Sequence, residues 1–180
     1  MERDVARVAL FSALIAALGL IPQITLPFAG GVPITAQALG VMLAGLILGP
    51  WRGALAILVF IAVVALGAPL LAGGRGGLGV FVGPTVGFLV GWPAAAIVIG
   101  LLYRAFHRTG PMLAGIFASV LGGIVVLYLF GIVGLAIVAK MTLLKATLAV
   151  LIFIPGDILK AVIAAFINRE VRRARPDLAA

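Results

Sequence analysis

Asp157 is the only acid between Asp4 and Glu170, and Lys160 follows it within the run Pro155-Gly156-Asp157-Ile158-Leu159-Lys160. The flanking residues are almost all Val, Ile, Leu, Phe and Ala. Residues three apart on a helix share a face. An ionisable group at membrane depth costs roughly 2.5–3.5 kcal/mol on insertion scales. A carboxylate accepts hydrogen bonds and an ammonium donates them, so the pair is a candidate binding site. The plainer alternative is an ion pair that steadies the helix start, where an acid also gains from the helix dipole. Function outweighs it, because burial makes a purely structural pair a weak source of stability.

Few other residues can do chemistry. Thr35, Gln37 and Thr85 are the polar side chains at span edges on the same side, and Arg75 is the other cation available to an anionic ligand. Lys140 and Lys145 read as interfacial residues whose stems lie along apolar surface. Gly74-Arg75-Gly76-Gly77-Leu78-Gly79 matches G-x-G-x-x-G letter by letter. A dinucleotide site needs a preceding strand and an acid about 20 residues on; here an apolar span precedes and the next acid is Asp157. Gly73 and Gly74 instead suggest a loop whose backbone approaches a ligand closely. The chain holds no G-x-x-x-x-G-K-[ST], so it has no P-loop for ATP. His107 lies among arginines, and Ser12 and Ser119 have no base nearby in sequence. No catalytic set is visible, and the chain reads as a non-enzyme.

The elements that position these residues must sit in lipid. Of 180 residues, 64% are hydrophobic and 10% charged, with a mean hydropathy of +1.35; soluble domains carry roughly 25% charged residues. Long continuous apolar runs indicate helices rather than a barrel. With no cysteine and one histidine, neither disulfides nor an ordinary Cys/His metal site is available. The net charge of +8 falls in short breaks between apolar runs, which fits loops against an anionic leaflet rather than nucleic acid. Glu2 and Asp4 make a poor signal-peptide start, so the first apolar run reads as a retained span.

Six spans are expected in a single transmembrane domain over residues 1–180. They cover about 5–24, 36–48, 53–66, 81–102, 111 to at least 130, and 155–171. Pro22 and Pro27 end the first, and a loop through Gly30, Gly31 and Pro33 follows. Pro155 suits the first turn of a helix and not its middle, so 142–153 becomes a separate helical element beside the site. Arg3, Arg7, Arg52, Arg104, Arg108, Arg169, Arg172, Arg173 and Arg175 fall on the side of the termini, against Arg75, Lys140 and Lys145. That excess makes both termini cytoplasmic. The Pro33 loop, the 73–79 segment and the start of the last helix then meet on the outer side.

Two rows of small residues recur at four-residue spacing. Gly79, Gly83, Gly87 and Gly91 suggest close helix packing; Ala9, Ala13 and Ala17 suggest either packing or a face for a partner.

Three segments together resemble the BioY family of biotin transporters. They are Val32-Pro33-Ile34-Thr35-Ala36-Gln37-Ala38-Leu39-Gly40-Val41-Met42-Leu43-Ala44-Gly45, then Leu71 to Gly79 with Gly83-Pro84-Thr85, then Pro155 to Lys160. Val86 stands where the family pattern leads one to expect glycine. The resemblance spans essentially the whole chain. It implies an all-α, six-helix S component of an energy-coupling-factor (ECF) transporter in the bacterial inner membrane. The implied ligand is biotin, bound on the outer side. The implied partners are a transmembrane coupling protein and cytoplasmic ATPases, which alone use ATP; no cofactor is implied. The implied substrate residues are Asp157, Lys160, Arg75, Gln37, Thr35, Gly73 and Gly74. Ala9, Ala13 and Ala17 match the family's coupling-protein face. On this reading Asp157 and Lys160 make two separate ligand contacts. The rival readings are an S component for another vitamin, and a self-sufficient carrier with Asp157 as a proton or sodium site.

Overall fold

A computed structural model describes residues 2–25 and 32–175. Pro27, Gly30 and Gly31 of the expected first loop lie outside them. The regular structure of the described residues is helical apart from one short antiparallel pair, β1 (Ile24–Thr25) and β2 (Pro33–Ile34), with Ile24 opposite Ile34.

Helix boundaries follow local chemistry. Helix α1 (Glu2–Gly19) opens with Glu2 and Asp4 at the positive end of its dipole. Helix α2 (Gln37–Leu43) runs on as a π-helical segment, Ala44–Leu48. Gly49, at φ +81°, turns the chain into α3 (Pro50–Ala65), with Pro50 in its first turn. A 3₁₀ stretch, Leu78–Val82, precedes α4 (Val86–Phe106). The fourth span therefore starts later than residue 81, because Gly83-Pro84 interrupts helical bonding ahead of Val86. Helix α5 (Pro111–Val120) passes through a π-helical segment, Leu121–Val126, into α6 (Leu127–Val138).

Residues 142–153 do form their own element. Thr142 caps α7 (Leu143–Leu151) by accepting from the Lys145 N–H, and α8 (Ile154–Ala174) follows with Pro155 in its first turn. The two axes differ by 53°.

By length and composition, α4 and the continuous Pro111–Val138 helix can each cross a membrane, and the bent α7–α8 pair can make a third crossing. Gln37–Leu48 and Pro50–Ala65 are shorter apolar helices.

Helix α4 is the centre of the bundle, packed against α3, α5, α6 and both π-helical segments. Close approach is possible because the neighbours present glycine: a Cβ at Gly45 would lie 2.9 Å from the Ala96 carbonyl, and one at Gly122 2.5 Å from the Ile99 side chain. Met42, Ile57, Phe60 and Ile99 fill the buried centre, while Leu55, Leu58, Leu129, Val133 and Ile137 face outward. Apolar inside and outside alike is the pattern of helices solvated by lipid.

Candidate binding site

The turn that begins α8 places Asp157 inside the bundle at 5% exposure. Lys160, one turn on, reaches back so that Nζ lies 2.7 Å from Asp157 Oδ1. Tyr128 of α6 donates to the other carboxylate oxygen, Oδ2, also at 2.7 Å. The structure thus corrects the reading of Asp157 and Lys160 as two unconnected ligand contacts. They form one ion pair, because opposite charges buried a turn apart each leave the other costly to desolvate alone. The pair is not saturated: a carboxylate offers about four lone-pair sites and an ammonium three donors.

Arg75 enters the same cavity from the loop after α3. Leu71 and Arg75 exchange backbone hydrogen bonds of 3.0 and 3.2 Å, closing a tight turn. Gly73 (φ +79°) and Gly74 (φ +69°) supply the left-handed conformations that turn requires. Neither glycine lines the cavity; they shape the loop that carries Arg75. Arg75 Nε donates to the Ala72 carbonyl at 3.2 Å and Nη1 to Thr85 Oγ1 at 3.4 Å, which fixes the guanidinium plane. Partial burial lowers the Arg75 pKa from its usual value, and the group stays cationic at ordinary pH.

The cavity between these groups has about 670 Å³ of open space, its mouth included. Val32 to Thr35, Leu71 and Arg75, and Asp157 and Lys160 all line it. The three segments that sequence brought to one side therefore do converge. Thr35 and Thr85 contribute hydroxyls at the wall. Gln37 also borders the cavity, but its amide is bonded to backbone groups of Ile15, Leu70 and Ala72. Ala9, Ala13 and Ala17 do not line the cavity: they are exposed along α1, whereas Phe11 and Ile15 face the core.

Sequence reasoning missed the aromatic wall. Phe88 and Trp92 of α4 line the cavity with Tyr128, and Phe88 meets Tyr128 edge-on at 6.5 Å between centroids. One signal pointed to Tyr128. A tyrosine hydroxyl in an apolar span needs a partner, and Asp157 is the one acid within the apolar stretch.

The family model for the BioY family matches residues 2–177. The chain belongs to the BioY family. "Biotin transporter BioY" of Rhodobacter capsulatus is 50% identical over 98% of this chain and 96% of its own length. "Biotin transporter BioY" of Rhizobium etli is 50% identical, with 99% and 97% covered. "Probable biotin transporter BioY" of Bacillus subtilis is 43% identical over 95% of this chain and 91% of its own. Among solved structures, the 2.1 Å crystal structure of the S-component for biotin from an ECF-type ABC transporter aligns with a TM-score of 0.87. That match is 31% identical and covers 95% of this chain and 91% of the other. The BioY relatives are named as transporters and not as enzymes, so this member is a membrane transport protein built on the S-component fold.

Proposed function

We propose that the chain captures biotin as the S component of an ECF-type transporter. The observation that carries this is the cavity itself. It sets an unsaturated Asp157–Lys160–Tyr128 cluster and a fixed Arg75 into one apolar, aromatic-lined space, within a BioY fold. Biotin presents two ureido N–H donors with a carbonyl, an apolar sulfur ring, and a carboxylate on an aliphatic chain. The spare lone pairs of Asp157 accept from a ureido N–H, and the spare donors of Lys160 reach the ureido oxygen. Phe88, Trp92 and Leu127 pack on the ring and chain. Arg75 takes the carboxylate: Lys160 is held by Asp157, while the guanidinium keeps N–H groups beyond those used on Ala72 and Thr85. Thr35 adds a hydroxyl at the same wall.

The wider arrangement belongs to the same proposal. The chain crosses the bacterial inner membrane six times with both termini cytoplasmic, supported by the arginine excess at that end. Exposed Ala9, Ala13 and Ala17 form a face on which a transmembrane coupling protein can approach closely. Cytoplasmic ATPases bound to that protein supply the ATP-driven reorientation that releases biotin inside. The S component needs no cofactor of its own.

Isothermal titration of the purified chain with biotin, thiamine and riboflavin side by side tests the reading. Biotin alone should bind. Binding of a different vitamin, or of none, ends the proposal. Uptake that follows the proton gradient with no ATPase partners present would replace it by a self-sufficient carrier.

A further inference from the structure

Gln37 is 1% exposed, and each of its amide atoms already has a protein partner. Nε2 donates to the Ile15 carbonyl of α1 and to the Leu70 carbonyl, both at 3.1 Å. Oε1 accepts from the Ala72 N–H at 3.0 Å. Leu70 and Ala72 flank Leu71, the residue that pairs with Arg75 to close its turn. The side-chain amide therefore grips the outer edge of the Arg75 turn as a neighbouring strand would, and its remaining donor holds the last part of α1.

The surrounding glycines keep this contact short. A Cβ on Gly19, the last residue of α1, would overlap the Leu70 carbonyl and lie 2.8 Å from Gln37 Nε2. A Cβ on Gly40 would lie 2.9 Å from the Ile15 side chain. Just beyond α1, the Gln23 amide abuts Gly73, where a Cβ would lie 2.5 Å from Nε2. The Arg75 turn is thus hydrogen-bonded by Gln37 of α2 and packed against by Gln23, which follows α1.

We infer that Gln37 is a positioning residue that ties the Arg75 turn to α1, so that ordering of the turn by ligand is transmitted to the helix bearing Ala9, Ala13 and Ala17. The inference rests on the proposed transport role for its ligand and its partner face. The tie itself rests only on the three hydrogen bonds. Isosteric loss of the amide takes this partner from the Leu70 carbonyl and the Ala72 N–H, and leaves the Ile15 carbonyl only its bond within α1. The turn then moves independently of α1.

Amide hydrogen exchange on the full chain in nanodiscs, with and without biotin, reads this directly. In the wild type, biotin should slow exchange both in residues 70–75 and in the second half of α1. In Gln37→Met, ligand-free exchange of the Ala72 amide should rise at least tenfold, and the biotin response should shrink to the turn. Gln37→Glu keeps an acceptor for Ala72 but has at most one O–H donor for the Ile15 and Leu70 carbonyls, so it should keep the Ala72 protection and weaken the α1 response. Gly19→Ala keeps the Gln37 side chain but drives a methyl between its amide and the Leu70 carbonyl. It should also lose the α1 response, and it serves should the apolar variant not fold. An α1 response in Gln37→Met equal to the wild type overturns the inference, as does a wild type whose α1 ignores biotin it binds. A wild type that binds no biotin overturns the substrate reading instead. Ligand-free exchange then judges the tie alone: equal Ala72 rates in wild type and Gln37→Met refute it.

Discussion

Tyr128 and Asp157 join α6 to the first turn of α8 through a 2.7 Å hydrogen bond buried in the bundle. The phenol orients the carboxylate, and Lys160 neutralises it. Tyr128→Phe removes one hydrogen bond to a charged acceptor and keeps the ring that packs on Phe88. Such bonds are worth about 1.5–3 kcal/mol. Biotin affinity should fall roughly tenfold or more by titration calorimetry, each 1.4 kcal/mol being about tenfold, with little change in fold. Unchanged affinity would remove Tyr128 from the site.

Asp157→Asn keeps the shape and removes the charge. Lys160 is then a partly buried ammonium without its counter-ion. Losing one partner of a desolvated, hydrogen-bonded charge pair costs about 2–5 kcal/mol. Biotin binding should weaken by about thirtyfold or more by the same arithmetic. The double variant Asp157→Asn with Lys160→Met should recover thermal stability relative to Asp157→Asn alone, because the orphaned charge goes too. Binding should stay lost. Recovery of binding in the double variant would show that the pair is structural only.

Arg75→Ala separates the two cations. If Arg75 takes the carboxylate, the variant should lose biotin affinity by more than tenfold yet bind biotin methyl ester about as well as the wild type does. Arg75→Lys should not restore the loss, because a single ammonium cannot donate to Ala72, Thr85 and a carboxylate in one plane. Equal losses for acid and ester in Arg75→Ala would assign the carboxylate elsewhere.

The glycine row divides into two kinds of position. A Cβ at Gly87 would overlap the Phe130 carbonyl and lie 2.9 Å from Gly134 Cα, whereas nothing lies within 4 Å of one at Gly79. Gly87→Ala should therefore destabilise the α4–α6 contact by about 1–3 kcal/mol, the usual cost of overpacking. Gly79→Ala should leave the melting temperature unchanged within about a degree. A shared effect on thermal unfolding in detergent would mean the row acts as one packing face.

That division also shows where sequence was a sufficient guide. The four-residue spacing of Gly79 to Gly91 presumes one helix, but Pro84 delays α4 to Val86, and only Gly87 and Gly91 reach α6. Proline read correctly elsewhere: Pro155 placed the break between α7 and α8, and with it the depth of Asp157. Such local signals depend on neighbouring residues, so they survive into the fold. Tyr128 and Gln37 depend on contacts 22 to 35 residues away in the chain. Gln37 also pairs with backbone groups, which leave no mark on sequence. A polar residue near a site is therefore easy to find, while what its polar atoms face is fixed only by the packing of α1, α2 and the Arg75 turn.

The alanine row on α1 is the last position to test, and its exposure decides what to expect. Ala9, Ala13 and Ala17 turn away from the core while Phe11 and Ile15 turn in. A bulky side chain at Ala13 therefore meets lipid in the isolated subunit and costs it little. Against a partner helix the same side chain blocks the close approach that small residues permit. Ala13→Trp should bind biotin with wild-type affinity by calorimetry. It should also fail to co-purify with a tagged coupling protein and support less than a tenth of wild-type uptake. Normal co-purification and uptake in Ala13→Trp would move the partner face to another helix.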